Sequence, residues 1–237
     1  MQPGGKQRRR IRVHQSSRRF VPALFLILET GLYLAFLVWD LRVGGAGSNG
    51  IKYLGILLCL VFALWAGAQP GGEHLTGLAL AVTAVSDVFL LLLDRNYLFG
   101  VGLFCLVQLC YGIRIFHANG GKSWWGLRLG LSGVALVSLR VLGLLNRLNG
   151  LALVYFSNFL CNVLSSLGCR GVRARQLSFG LSLFLCCDLC VGIFQNPALV
   201  PSALAEFARI GMWLFYLPGQ VLIALSALPE PTGGVFP

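Results

Sequence analysis

Eight apolar runs, each long enough to cross a lipid bilayer, fill most of the 237-residue sequence: 20–40, 51–68, 75–93, 98–118, 124–145, 148–167, 176–195 and 205–228. At a rise of about 1.5 Å per residue, helices of this length span a hydrocarbon core of about 30 Å. A transmembrane barrel would instead show alternating segments of about ten residues, and these runs do not alternate. Composition agrees: 57% of residues are hydrophobic and 11% charged, far from the balance of a soluble domain. The sequence therefore predicts an all-α fold, a polytopic membrane helical bundle of about eight transmembrane helices. A basic arm at 1–19 precedes a single transmembrane domain at 20–228, and a short flexible tail follows at 229–237. The connections leave no room for a soluble domain.

A net charge of +11 would point to nucleic acid in a soluble protein. Its placement here points to topology. Lys6, Arg8, Arg9, Arg10, Arg12, Arg18 and Arg19 all precede the first run. With that end in the cytoplasm, Arg114, Lys122 and Arg128 fall on the same side, as do Arg170, Arg173 and Arg175. Thirteen basic residues then lie inside against six outside, as the positive-inside rule requires. Both the N and C termini are expected to be cytoplasmic. The arm also attracts anionic lipid, at about 1 kcal/mol per charge, so the expected partner is the membrane lipid bilayer and not nucleic acid. The fragment "SSRRFVPALFLIL" reads as a retained anchor, because the run is long, contains Glu29 and lacks a small-residue cleavage site. The expected location is an integral membrane position, the cell membrane in a bacterium.

Eight cysteines lie within or at the edge of predicted spans, where cysteine acts as a small apolar residue and not as part of a disulfide framework. Cys187 and Cys190 form a C-x-x-C beside Asp188, but His14, His74 and His117 fall at or beyond helix ends, so no metal site is expected. In "GLRLGLSG", Gly126, Gly130 and Gly133 share one face of the fifth helix and are expected to admit a closely packed neighbour.

The stretch "LALAVTAVSDVFLLLL" sets Asp87 within an apolar run. Asp87 and Asp188 are each the thirteenth residue of their predicted spans. The third and seventh helices run in the same direction, so both carboxylates reach a depth of about 18 Å and are placed to face each other. This equivalence hints at a parallel four-plus-four repeat, although the flanking residues match poorly. An ionised side chain in a membrane helix costs at least about 2.5 kcal/mol, which makes it a candidate functional group. The plainer alternatives are an ion pair, with Arg140 as the partner, or a protonated, hydrogen-bonded carboxyl. Glu29 has the same alternatives, bonding to backbone or to Ser or Thr. Gln108 with Tyr111, Asn158 with Asn162, and Tyr216 with Gln220 each share a helix face. Singly such residues act as interhelical glue; together they describe a polar pocket holding two carboxylates.

These segments resemble the YhhN-like lysoplasmalogenase family. The resemblance rests on "VSDVFLLLL", "FGVGLFCLVQLCYGI", "SFGLSLFLCCDLCVGIF" and "WLFYLPGQVLIAL", in order, with "IKYLGILLCL" similar to the family's second helix. It implies catalysis by Asp87 and Asp188. Lys52, Gln108, Tyr111, Asn158, Tyr216 and Gln220 would bind or orient the substrate. Gln108 stands where the family usually has histidine, and Cys187 where a small Ser or Gly usually precedes the second aspartate. Glutamine keeps a hydrogen bond but cannot titrate, so a slow, altered or inactive protein stays open.

The implied substrate is a lysophospholipid with a vinyl ether chain, cleaved to a fatty aldehyde and glycerophosphoethanolamine or glycerophosphocholine. A protonated carboxyl in apolar surroundings delivers a proton to the alkene carbon. A second, ionised carboxylate stabilises the oxocarbenium ion and activates water, as paired carboxyls do in glycoside cleavage. The chemistry calls for no cofactor and no metal. Lys52, near an interface, is placed either to hold the phosphate or to anchor the helix by snorkelling. The alternatives are a small proton-coupled transporter, which would need a break in a helix near the carboxylates, and a catalytically inactive lipid-binding membrane protein.

Overall fold

A computed structural model describes residues 4–43, 45–121, 124–196 and 200–231, all helical or connecting, with no strand among them. The helices are α1 (Gly4–Arg42), α2 (Asn49–Gly67), α3 (His74–Asp87), α4 (Tyr97–Ala118), α5 (Trp125–Val141), α6 (Arg147–Ser166), α7 (Val172–Phe194) and α8 (Ser202–Leu225). A π-helical turn at Val88–Leu92 continues α3.

Seven of these helices are long and apolar enough to cross a membrane, which makes this a multi-pass helical membrane protein. The expectation of about eight spans is met in helix number but not in length. α5 has 17 residues, because the run expected to reach residue 145 turns off at Gly143 with φ +69°. At the N terminus, α1 starts at Gly4, so the backbone of the basic arm continues the first helix. The tail is anchored where it begins: Glu230 accepts hydrogen bonds from the backbone N–H groups of Val172 and Arg173, at 3.3 and 3.0 Å, and caps α7. Its residues 232–237 lie outside the described residues.

Neighbour contacts close a ring, α2–α3–α4–α6–α7–α8, with α1 against α2 and α5 against α6 on the outside. Phe36 of α1 joins the ring residues Ile56, Val107, Phe159, Leu181, Phe184 and Ile223 in the main core. α5 contributes only Leu139 to the buried set.

Lipid tails are as apolar as leucine, so close packing has to hold such a ring together. The tightest approach is between α7 and α8. A Cβ on Gly180 would lie 2.9 Å from the Gly219 carbonyl oxygen and 2.9 Å from the Ile223 nitrogen, while one on Gly219 would lie 3.0 Å from the Gly180 oxygen. The close neighbour expected on the glycine face of α5 does not pack there. A Cβ on Gly126, Gly130 or Gly133 meets nothing within 4 Å, because α5 turns this face away from its one main neighbour, α6.

At the opposite end of the ring from the aspartates, Arg114 of α4 ties three helices. Its guanidinium donates to Thr76 Oγ1 of α3 at 2.6 Å, and to the Ser226 hydroxyl and carbonyl just past α8 at 2.7 and 2.6 Å. Arg114→Met would leave those acceptors buried without donors, a loss of about 2 kcal/mol. A fall of about 6 °C in the thermal midpoint of the purified protein is expected.

Candidate functional site

The ring brings the acidic residues of α3 and α7 into one interior cluster with the tyrosines of α6 and α8. Asp87, 4% exposed, accepts a 2.6 Å hydrogen bond from the Tyr216 hydroxyl of α8. Asp188, partly accessible, accepts one of 2.5 Å from the Tyr155 hydroxyl of α6. The two carboxylates lie within electrostatic range of each other. Aromatic contacts link the two tyrosines: Tyr216 meets Phe184 with ring centres 5.4 Å apart, Phe184 meets Phe159 at 4.9 Å, and Phe159 meets Tyr155 at 5.9 Å. Phe184 sits one turn before Asp188 on α7, so the same helix face supplies both the packing and the carboxyl.

Just past Asp87 the α-helical hydrogen-bond pattern widens. Leu93 N–H reaches the Val88 carbonyl at 2.9 Å, and the π-helical turn places an irregular backbone directly after the carboxylate. Such turns recur at functional sites. Ser86, the residue before Asp87, donates to the Gly100 carbonyl of α4 at 2.9 Å and fixes the end of α3. α7 runs on through Asp188 to Phe194 without a break, so the two aspartate helices are not structural copies.

Arg140, the ion-pair partner weighed for the aspartates, is exposed on the outer helix α5; the aspartates take tyrosine hydroxyls instead. Glu29 accepts from the Cys59 thiol at 3.2 Å, a donor type outside the Ser, Thr or backbone alternatives.

Of the supporting residues named from sequence, Tyr216 touches Asp87 directly. The buried Gln108 amide of α4 lies beside the Tyr155 hydroxyl, its Nε2 without a close hydrogen-bond partner among the described residues. Asn162 Nδ2 donates to both oxygens of Gln108, the carbonyl at 2.8 Å and Oε1 at 2.9 Å. Asn158 donates within its own helix to the Val154 carbonyl at 2.9 Å. Tyr111 is fully buried, its hydroxyl unpartnered, with Arg114, Cys110 and Cys59 as its electrostatic neighbours. Gln220, also fully buried, has neither amide atom paired among the described residues. Lys52, 3% exposed, lies 2.6 Å from Asp40 Oδ2 across the α1–α2 hairpin. Its ammonium also sits 4.3 Å from the Trp213 ring centre, and Ser48 donates to the same carboxylate.

Tyr155 and Asp40 went unrecognised from sequence. A tyrosine in a span carries little signal by itself, whereas Asp40, twelve residues before Lys52 at the mouth of a predicted hairpin, offered a charge-pairing cue.

Beside this cluster, α4, α5 and α6 enclose a groove of about 620 Å³, within the size range of ligand pockets. Tyr155 and Gln108 line it, so it adjoins the residues that hold Asp188.

Fold and site together define a multi-pass helical membrane protein that keeps two tyrosine-bonded carboxyls inside a helix ring. The chain belongs to the YhhN family, whose family model matches residues 48–227. That range takes in every ring helix and both aspartates, and leaves out α1. Comparison with curated proteins finds no match, and neither does comparison with solved structures.

Proposed function

We propose that the protein is a membrane hydrolase of the lysoplasmalogenase type, which cleaves the vinyl ether bond of lysoplasmalogens. The observation that carries this reading is the pair of interior carboxyls, each with its own tyrosine, within electrostatic range of each other. Two carboxyls in apolar surroundings can divide roles, one protonated and one ionised. That state is what the reaction uses. The protonated member gives its proton to the alkene carbon, and the C=C electron pair forms the new C–H bond, leaving an oxocarbenium ion. Water adds to the cationic carbon and loses a proton to the ionised carboxylate. The hemiacetal then gives its hydroxyl proton to the carboxylate that first acted as acid, while the carboxyl that took the water proton passes it to the departing glycerol oxygen; the C–O bond breaks, giving an aldehyde and the glycerophospho-alcohol and restoring both carboxyls. Tyr155 and Tyr216 hold the carboxyls in place, and Gln108, which cannot titrate, supports Tyr155.

The test is release of fatty aldehyde from a lysoplasmalogen by purified protein. Tyr155→Phe removes one hydrogen bond to a charged group, about 2 kcal/mol, and is expected to lower kcat about 30-fold with little change in KM. An unchanged kcat would detach Tyr155 from the chemistry.

The π-helical turn beside Asp87 favours a second reading, a proton-coupled carrier, since irregular helices often flank transporter sites. Proton-driven solute uptake into proteoliposomes without aldehyde release would select it.

A further inference from the structure

We infer that the groove between α4, α5 and α6 is where the lysophospholipid binds, with Arg128 of α5 taking the phosphate. The inference rests on the hydrolase reading and adds the place and polarity of substrate binding. Arg128 lines the groove and makes no ion pair among the described residues. Among the described residues its guanidinium donates only to neutral oxygens: Asn162 Oδ1 at 2.6 Å, and the Asn158 carbonyl and Oδ1, both at 3.3 Å. With five N–H groups in a fixed fork, it keeps donors for an anion. Lys52, the other cation considered for this role, already has Asp40 at 2.6 Å.

A second observation points the same way. Gln108, 3% exposed, lines the same groove and links Asn162, which holds Arg128, to the Tyr155 hydroxyl. The groove wall is therefore polar from Arg128 to the tyrosine that bonds Asp188, as a ligand with a phosphate at one end and an ether oxygen further along requires.

Spacing along α6 fits the ligand. Arg128 is held at Asn158 and Asn162, and Asp188 is bonded by Tyr155, so the two levels are three to seven residues apart on one helix. At about 1.5 Å per residue this is about 5–10 Å, which matches a phosphate joined through a three-carbon glycerol to the ether oxygen. Apolar lining such as Leu109 and Val154 suits the chain.

The test separates binding from turnover. A saturated alkyl-ether lysophosphatidylethanolamine has no vinyl bond to cleave, and its Kd for the purified full chain in neutral detergent is read by calorimetry. Arg128→Gln is expected to weaken binding by about tenfold or more, Arg128→Lys to recover part of it, and the phosphate-free monoalkylglycerol to be indifferent to either change. Unchanged affinity in Arg128→Gln overturns the proposal. So does an equal loss for the monoalkylglycerol, which would mean a structural role, or displacement of the probe by inorganic phosphate alone. The two readings fail separately. Arg128-dependent binding without vinyl ether cleavage retains the site and removes the hydrolase, whereas cleavage with unaltered KM in Arg128→Gln does the reverse.

Discussion

Asp87→Asn protein is expected to release fatty aldehyde about 10³-fold more slowly than wild type, the upper part of the range for losing a positioned acid or base. Asp188→Asn is expected to do the same. Asparagine keeps the size of the side chain and still accepts the Tyr216 or Tyr155 hydroxyl, so the hydrogen bonds of 2.6 and 2.5 Å are kept in weakened form and the fold survives. What is lost is the ability to hold or pass a proton. The two carboxyls act as one pair in the proposed reaction, so the double variant should be little slower than either single one. Activity near the wild-type level in either single variant would remove that residue from the chemistry.

Gly180→Val carries the largest structural effect. α7 holds Asp188 and α8 holds Tyr216, and their backbones meet at Gly180 and Gly219. The added Cβ would come within 2.9 Å of both the Gly219 oxygen and the Ile223 nitrogen. These are backbone atoms, which cannot swing aside. Overpacking costs about 3 kcal/mol at the upper end of its usual range, and a clash between two backbones lies at or beyond that end. A thermal midpoint lower by about 10 °C or more is expected. The same displacement would shift Tyr216 relative to the aspartates, so aldehyde release should fall as well. Gly130→Val, where the Cβ meets nothing within 4 Å, is the matched control and should change neither.

Hydropathy located the helices because a membrane span must satisfy its own backbone hydrogen bonds and leave its side chains apolar. The same principle exposed Asp87 and Asp188, since a carboxyl in such a run is conspicuous against its neighbours. Periodicity conveys depth along a helix but not the direction in which the helix turns its faces. Arg140 therefore fitted the aspartates by depth while α5 lies outside the ring, and Gly126, Gly130 and Gly133 looked like a packing face although they face open space. The π-helical turn after Asp87 had no Gly or Pro to announce it; "VFLLL" reads as ordinary helix. Tyr155 lacked any local cue, because its role comes from α6 meeting α7, a long-range contact. Gly143, by contrast, did stand in the sequence where α5 stops short.

Proton delivery to carbon by the aspartate pair is tested most directly by running the reaction in D2O and trapping the aldehyde as it forms. Proton transfer from the carboxyl pair predicts one deuterium on the carbon next to the aldehyde group, with label appearing at the rate of aldehyde release and that rate collapsing in Asp87→Asn and Asp188→Asn. Aldehyde that carries no deuterium there, or that forms as fast in the double variant, would contradict it.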